Sequence, residues 1–110
     1  MLGGGGLSTA WKLLVKPERQ GYTLENLGAP LQQHERGATL RRDFSIVNGR
    51  GLRMPASLYL PCAPGQPPPT RLDRPCVVYA HSQSGNRLEG LFLLEHCAAR
   101  GFGLCLFDFA

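Results

Sequence analysis

The predicted fold is decided by one stretch of the sequence, CVVYAHSQSGNRLEGLFLLEHCAARGFGLCLFD, at residues 76–108. It begins with a short continuous apolar run at residues 76–80, which is typical of a strand buried on both faces. The amphipathic pattern of residues 87–100 predicts a helix, and Gly101 lies where a left-handed C-terminal cap is needed. A second apolar run at residues 102–107 predicts another strand. Two strands joined by a helix in this way are expected to pair in parallel.

An antiparallel hairpin is predicted over residues 41–60, because stretches of extended character flank the turn sequence NGRG at residues 48–51. Residues 61–75 hold six of the nine prolines and predict a surface loop with polyproline II character. Residues 1–40 are interrupted by Gly and Pro and predict an irregular arm. The chain therefore divides into this arm and one ordered domain over residues 41–110.

Composition excludes several classes of protein. The 110 residues carry 12 basic and 8 acidic side chains, and the basic ones are scattered, which disfavours a nucleic-acid partner. No apolar run approaches the roughly 20 residues of a transmembrane segment. The cysteines lack metal-site spacing, so no metal and no organic cofactor is expected. They are predicted to be mostly buried thiols of a reducing compartment, which favours a cytoplasmic location. They are Cys62, Cys76, Cys97 and Cys105.

The polar segment at residues 81–86 is the candidate functional site. It follows a predicted parallel strand and precedes a helix, and ligands of open parallel sheets bind beyond the carboxyl ends of strands. Backbone N–H groups at such a turn lie at the positive end of the helix dipole and stabilise an anion, including the oxyanion of an acyl-transfer intermediate. A plain strand-to-helix loop, in which His81 is a hydrogen-bonded core residue, is the alternative that these residues leave open.

Six short segments carry a resemblance to one known family. They are KPERQGY at residues 16–22, RDFSIVNGRGL at 42–52, LP at 60–61, PCVVYAH at 75–81, SGNRLE at 84–89 and FDFA at 107–110. In this order and spacing they resemble the N-terminal part of an α/β hydrolase, from the serine-hydrolase branch of protist and plant proteins that includes serine aminopeptidase-like domains. The resemblance implies an α/β fold class with an incomplete α/β-hydrolase sheet. That sheet would comprise a β-hairpin and a parallel strand–helix–strand unit, truncated after the fourth strand.

The family resemblance also implies roles for residues of the polar segment. His81 corresponds to the His of the oxyanion-hole loop, Gln83 carries the candidate backbone N–H, and Ser82 stands where the family usually has Gly. The parent activity would be hydrolysis of an ester, thioester or amide through an acyl-enzyme, on a small-molecule or lipid-like substrate. The family nucleophile lies on a later G-x-S-x-G elbow. The chain is therefore expected to be an N-terminal fragment without a catalytic triad, inactive by itself.

Three alternatives remain open from the residues. AHSQS at residues 80–84 also fits a loose nucleophile elbow, which would make Ser82 the nucleophile, although neither His34 nor His96 has a motif that marks it as the base. A non-enzymatic binding module would recruit a partner through the Pro-rich loop at residues 61–75. The chain would otherwise be a truncated product without a function of its own. Asp108, at the end of a predicted strand, is expected to bond backbone N–H groups rather than to act in catalysis.

Overall fold

A computed structural model describes residues 21–63, 65–67, 69–83 and 85–109. The predictions for the first half of the irregular arm, and for most of the first segment of the family resemblance, lie outside these residues. The described chain opens with a short 3₁₀ helix at Leu24–Leu27. Its strands are β1 (Leu31–His34), β2 (Gly37–Val47), β3 (Arg53–Cys62), β4 (Cys76–Tyr79) and β5 (Gly103–Phe107).

The five strands form one sheet in the order β1-β2-β3-β5-β4. β1 pairs with β2, β2 with β3 and β3 with β5 in antiparallel fashion, whereas β4 pairs with β5 in parallel. The chain therefore leaves β4 at one edge of the sheet and returns between β3 and β4. This return places Leu104 opposite Tyr59 of β3 and beside Val77 of β4.

The segment between β4 and β5 forms a 3₁₀ helix at Arg87–Leu93, followed by the helix α1 at Leu94–Arg100. The side chain of Asn86 caps the first turn by accepting the Leu88 N–H, and Gly101 ends α1 with a φ of 69°. These helices cover one face of the sheet and bury apolar side chains against it. The buried cluster comprises Tyr59, Leu94, Cys97, Leu104 and Leu106.

The predicted fold class is wrong. Parallel pairing was expected to organise the sheet, and among the described strands it is confirmed only for β4 and β5, while the other three pairings are antiparallel. The structure is a mostly β, mixed sheet with one short α-helix, rather than an α/β-hydrolase sheet truncated after its fourth strand. The reason is length: the long β2–β3 hairpin provides the longest ladder of the sheet, whereas β4 and β5 are only 4 and 5 residues long.

Several local elements also differ from the predictions. The described part of the expected irregular arm contains β1, which extends the predicted hairpin into a three-stranded meander. The predicted single helix is half 3₁₀, and Gly90 lies on its inner side where a Cβ would collide with Leu106 and Tyr79. The thiols are unpaired, but only Cys97 is buried. Within the described residues, no helix is long and apolar enough to cross a membrane.

Candidate functional site

The segment at residues 81–86, called the tip loop below, leaves the carboxyl end of β4 and enters the 3₁₀ helix that begins at Arg87. Because β4 and β5 run in parallel, Asp108 and Phe109, which follow β5, lie at the same edge of the sheet. His81 and Asn86 are buried at the two ends of the tip loop. Ser82 and Gln83, between them, are exposed.

His81 fixes the start of the tip loop. Only 5% of this residue is exposed, and its Nε2 accepts the backbone N–H of Phe109 at 3.0 Å. Since Nε2 is the acceptor, the ring proton of the neutral imidazole lies on Nδ1, which donates to the Ser82 carbonyl oxygen at 2.5 Å. The imidazole also packs edge-on against the Phe109 ring, with centroids 4.5 Å apart. Both ring nitrogens are thus engaged in holding the backbone.

The Glu89 carboxylate holds the next residue of the tip loop. Oε2 accepts the Ser82 backbone N–H at 2.6 Å and the Tyr79 hydroxyl at 3.0 Å, while Oε1 accepts the Ser82 hydroxyl at 2.5 Å. These bonds, those from Ser82 foremost, lower the pKa of Glu89 because they stabilise its ionised form. A Cβ on Gly85 would lie 2.6 Å from Oε1 and 2.9 Å from the Ser82 hydroxyl, so the bond between Glu89 and Ser82 requires glycine there.

Asp108 holds the far end of the tip loop. Its Oδ1 accepts the Arg87 backbone N–H at 2.7 Å, and its Oδ2 accepts the Tyr22 hydroxyl. The Arg87 Nε donates to the Tyr22 hydroxyl at 2.5 Å and lies 3.8 Å from Oδ2 of Asp108. Burial, followed by the hydrogen bond to Asp108, raises the pKa of Tyr22 to about 12. Asp108 therefore bonds a backbone N–H, as expected, but one that is 21 residues away in sequence.

The same Arg87 joins the tip loop to the middle of the sheet. Its Nη1 donates to the Ser57 hydroxyl at 3.1 Å, and that hydroxyl donates to the Asp43 carboxylate at 2.6 Å. Asp43 in turn accepts from Nε of Arg41, and Nη1 of Arg41 donates to the Gly28 carbonyl oxygen. Each buried charge is met by an opposite charge or a hydrogen bond, which is the condition for burying it at acceptable cost.

The sequence predictions placed His81, Ser82 and Gln83 in the site, and in the structure His81 is buried while Ser82 and Gln83 are exposed. The predictions missed the residues that hold the tip loop, namely Tyr22, Arg87 and Glu89. Arg87 and Glu89 belong to the quoted segment SGNRLE, so their closeness to the loop in sequence was a signal. Tyr22 ends the quoted segment KPERQGY, but its contact with Asp108, 86 positions away, had no signal in the local sequence.

The geometry disfavours the alternative in which Ser82 is the nucleophile. Its hydroxyl donates to a carboxylate whose pKa is lowered, and a carboxylate of lowered pKa is a weaker general base. His34 lies in β1, at the edge of the sheet opposite to β4. Its Nε2 pairs there with the Thr39 hydroxyl at 2.8 Å. Among the described residues, only glycines have positive φ, whereas a nucleophile elbow is a strained turn.

Cavities occur elsewhere in the molecule. Three hollows of about 380–400 Å³ lie around β1, α1 and the start of the Pro-rich loop, and no tip-loop residue lines them. Within the described chain, no group of three His, Cys, Asp or Glu side chains is placed to hold a metal ion. Comparison with protein-family models, curated proteins and solved structures found no match to the chain. The structural part of the case for a function is the tip loop and the residues that hold it.

Proposed function

We propose that this chain is the N-terminal portion of a serine hydrolase and that its tip loop supplies part of the oxyanion hole. The proposal rests on the resemblance of its six segments to an α/β-hydrolase family and on the chemistry of the tip loop. It does not rest on the sheet, whose class differs from the one expected. The parent enzyme would hydrolyse an ester, thioester or amide of a small or lipid-like molecule, with no metal or organic cofactor.

The observation that carries the proposal is that the two residues following β5 hold both ends of the tip loop. Phe109 donates its N–H to His81 at the start, and Asp108 accepts the N–H of Arg87 just beyond the end. An oxyanion hole must be rigid before the charge develops, because donors that reorganise during the reaction contribute less to catalysis. A loop fixed at both ends with an exposed middle meets this requirement.

Gln83 is the residue assigned to stabilise the oxyanion through its backbone N–H. The N–H of Ser82 already donates to Glu89, so it does not serve this role in the present geometry. Gln83 is exposed at the middle of the loop, where a substrate carbonyl oxygen can approach. The nucleophile and its base would come from other polypeptide. The four unpaired thiols support a cytoplasmic location.

A first experiment tests whether the chain reacts by itself. The purified 110-residue protein and its Ser82→Ala variant are incubated with a fluorophosphonate probe and, separately, with p-nitrophenyl butyrate. Both proteins are expected to remain unlabelled and to leave the ester at its background rate of hydrolysis. Labelling that maps to Ser82 and disappears in Ser82→Ala would overturn the proposal in favour of the elbow alternative.

A second experiment tests the oxyanion role. Transcripts are sequenced beyond the Ala110 codon for an in-frame G-x-S-x-G segment, and the longer product is tested for fluorophosphonate labelling. Gln83→Pro removes the backbone N–H and is expected to slow labelling about 100-fold, whereas Gln83→Ala keeps the N–H and the rate. If no reading frame with such a segment exists, or both variants react equally, the chain does not have this role.

A further inference from the structure

The tip loop has a second anchor besides the residues that follow β5. Glu89 lies in the 3₁₀ helix, seven positions after Ser82, and its two carboxylate oxygens accept three hydrogen bonds. Two donors are the backbone N–H and the hydroxyl of the same residue, Ser82. The third is the hydroxyl of Tyr79, the last residue of β4. One side chain thus ties the end of the strand, the exposed loop and the helix together.

We infer that Glu89 is a positioning residue, which fixes the Ser82 peptide so that the next residue, Gln83, occupies the exposed middle of the loop. A carboxylate suits this task because it accepts hydrogen bonds on both oxygens and donates none. A neutral amide replaces one of the two accepting oxygens with a donor NH₂ group, so it cannot reproduce the present geometry, in which the Ser82 N–H and the Ser82 hydroxyl meet different oxygens. The role of Gln83 toward an oxyanion rests on the proposed function, whereas the fixing of Ser82 does not.

Gly85 supports this assignment. The Glu89 carboxylate and the Ser82 hydroxyl meet directly beside its α-carbon, within the distance at which a methyl group would overlap both. The space beside position 85 is therefore filled by the contact between Glu89 and Ser82, and a side chain at position 85 would not fit. Charge-assisted hydrogen bonds such as these are about twice as strong as neutral ones, which fits an anchor on an exposed loop.

The test is an NMR measurement on the ¹⁵N-labelled 110-residue protein. In Glu89→Gln, the Ser82 amide proton is expected to move upfield and to exchange with solvent at least tenfold faster than in the unmodified protein. Glu95→Gln is the matched control, because Glu95 is an exposed acid of the neighbouring helix α1, and it should leave Ser82 unchanged. Equal Ser82 exchange rates in Glu89→Gln and the unmodified protein would overturn the inference.

A pH titration gives a readout that a merely structural role would not produce. The Ser82 amide shift should follow the ionisation of Glu89, with a midpoint below the usual Glu value of about 4.3, and Glu89→Gln should abolish this transition. Tyr79 and His81 are the other titratable groups that interact with the carboxylate. The transition should therefore persist in Tyr79→Phe, which keeps both Ser82 bonds to Glu89, and its loss there would count against Glu89.

The two proposals fail in different ways. If the exchange rate of the Ser82 amide is the same in Glu89→Gln and in the unmodified protein, the positioning role is disproved, whatever the chain does in catalysis. A Ser82 amide that responds as expected, together with equal labelling of Gln83→Pro and Gln83→Ala in a longer product, keeps the positioning role and removes the oxyanion function.

Discussion

The backbone N–H of Phe109 donates to Nε2 of His81 across 28 positions of sequence. This bond joins the second residue after β4 to the second residue after β5, and the parallel pairing of the two strands makes it possible. It also fixes the tautomer of the imidazole. The start of the tip loop is consequently held by the segment that follows β5 as well as by the loop's own contact between His81 and Ser82.

Replacing His81 with Leu should loosen the start of the tip loop. The variant removes the acceptor for the Phe109 N–H and the donor to the Ser82 carbonyl, and we expect a loss of about 1–3 kcal/mol in the free energy of unfolding. Urea denaturation measures the loss, and hydrogen exchange at Phe109 locates it. The exposed His96, changed to Leu as the control, should alter stability by no more than about 0.5 kcal/mol.

Replacing Arg87 with Met should destabilise the protein more strongly. The variant leaves the carboxylate of Asp108 and the hydroxyl of Ser57 without a buried guanidinium, and such losses cost about 3–5 kcal/mol. The matched control is Arg53→Met, at an exposed position of β3. Chemical denaturation of both variants decides the point, and similar midpoints would show that the buried network around Arg87 contributes little.

Replacing Gly90 with Ala should also be costly, although Ala is the better helix former. The new methyl group would lie 2.8 Å from Cδ1 of Tyr79 and in collision with the side chain of Leu106. Overpacking of this kind costs roughly 1–3 kcal/mol. At Gly49 nothing lies within 4 Å of a Cβ, so Gly49→Ala should be nearly neutral. A thermal melt of the two variants distinguishes packing from helix propensity.

Stability should fall at alkaline pH through Tyr22. Its pKa is about 12 in the folded protein against 10.0 for the free side chain, so the folded state favours the neutral phenol. This contribution is complete below pH 10 and is lost as the pH rises toward 12. Urea unfolding between pH 8 and 11.5 should show a smaller decline in Tyr22→Phe than in the unmodified protein. Parallel declines would contradict the assigned environment of Tyr22.

Local patterns in the sequence predicted several elements correctly. The apolar runs became β4 and β5, and Gly101 is a left-handed cap. The turn at residues 48–51 joins two strands, with the positive φ at Gly51. Each of these features depends on residues that are close together in the chain, so the sequence displays its cause directly.

The fold class was mispredicted for a different reason. The strongest local patterns, the two apolar runs, belong to the parallel pair of strands. The half-exposed meander of β1, β2 and β3 has weaker local patterns, yet it contributes most of the sheet. The order in which strands pair depends on which edges and faces bury most surface together. The buried surface depends on contacts among all the strands, so the local pattern of a single segment does not predict the order of the strands.

The sequence by itself determined where most strands and turns form and that His81, Ser82 and Gln83 share one polar loop. The tertiary structure alone decided how that loop is held: by Phe109 on His81, by Glu89 on Ser82, and by Asp108 beside Arg87 and Tyr22. The physical reason is that most of these contacts join residues far apart in the chain. Their distances depend on β5 inserting between β3 and β4 in one register, which only the folded sheet defines.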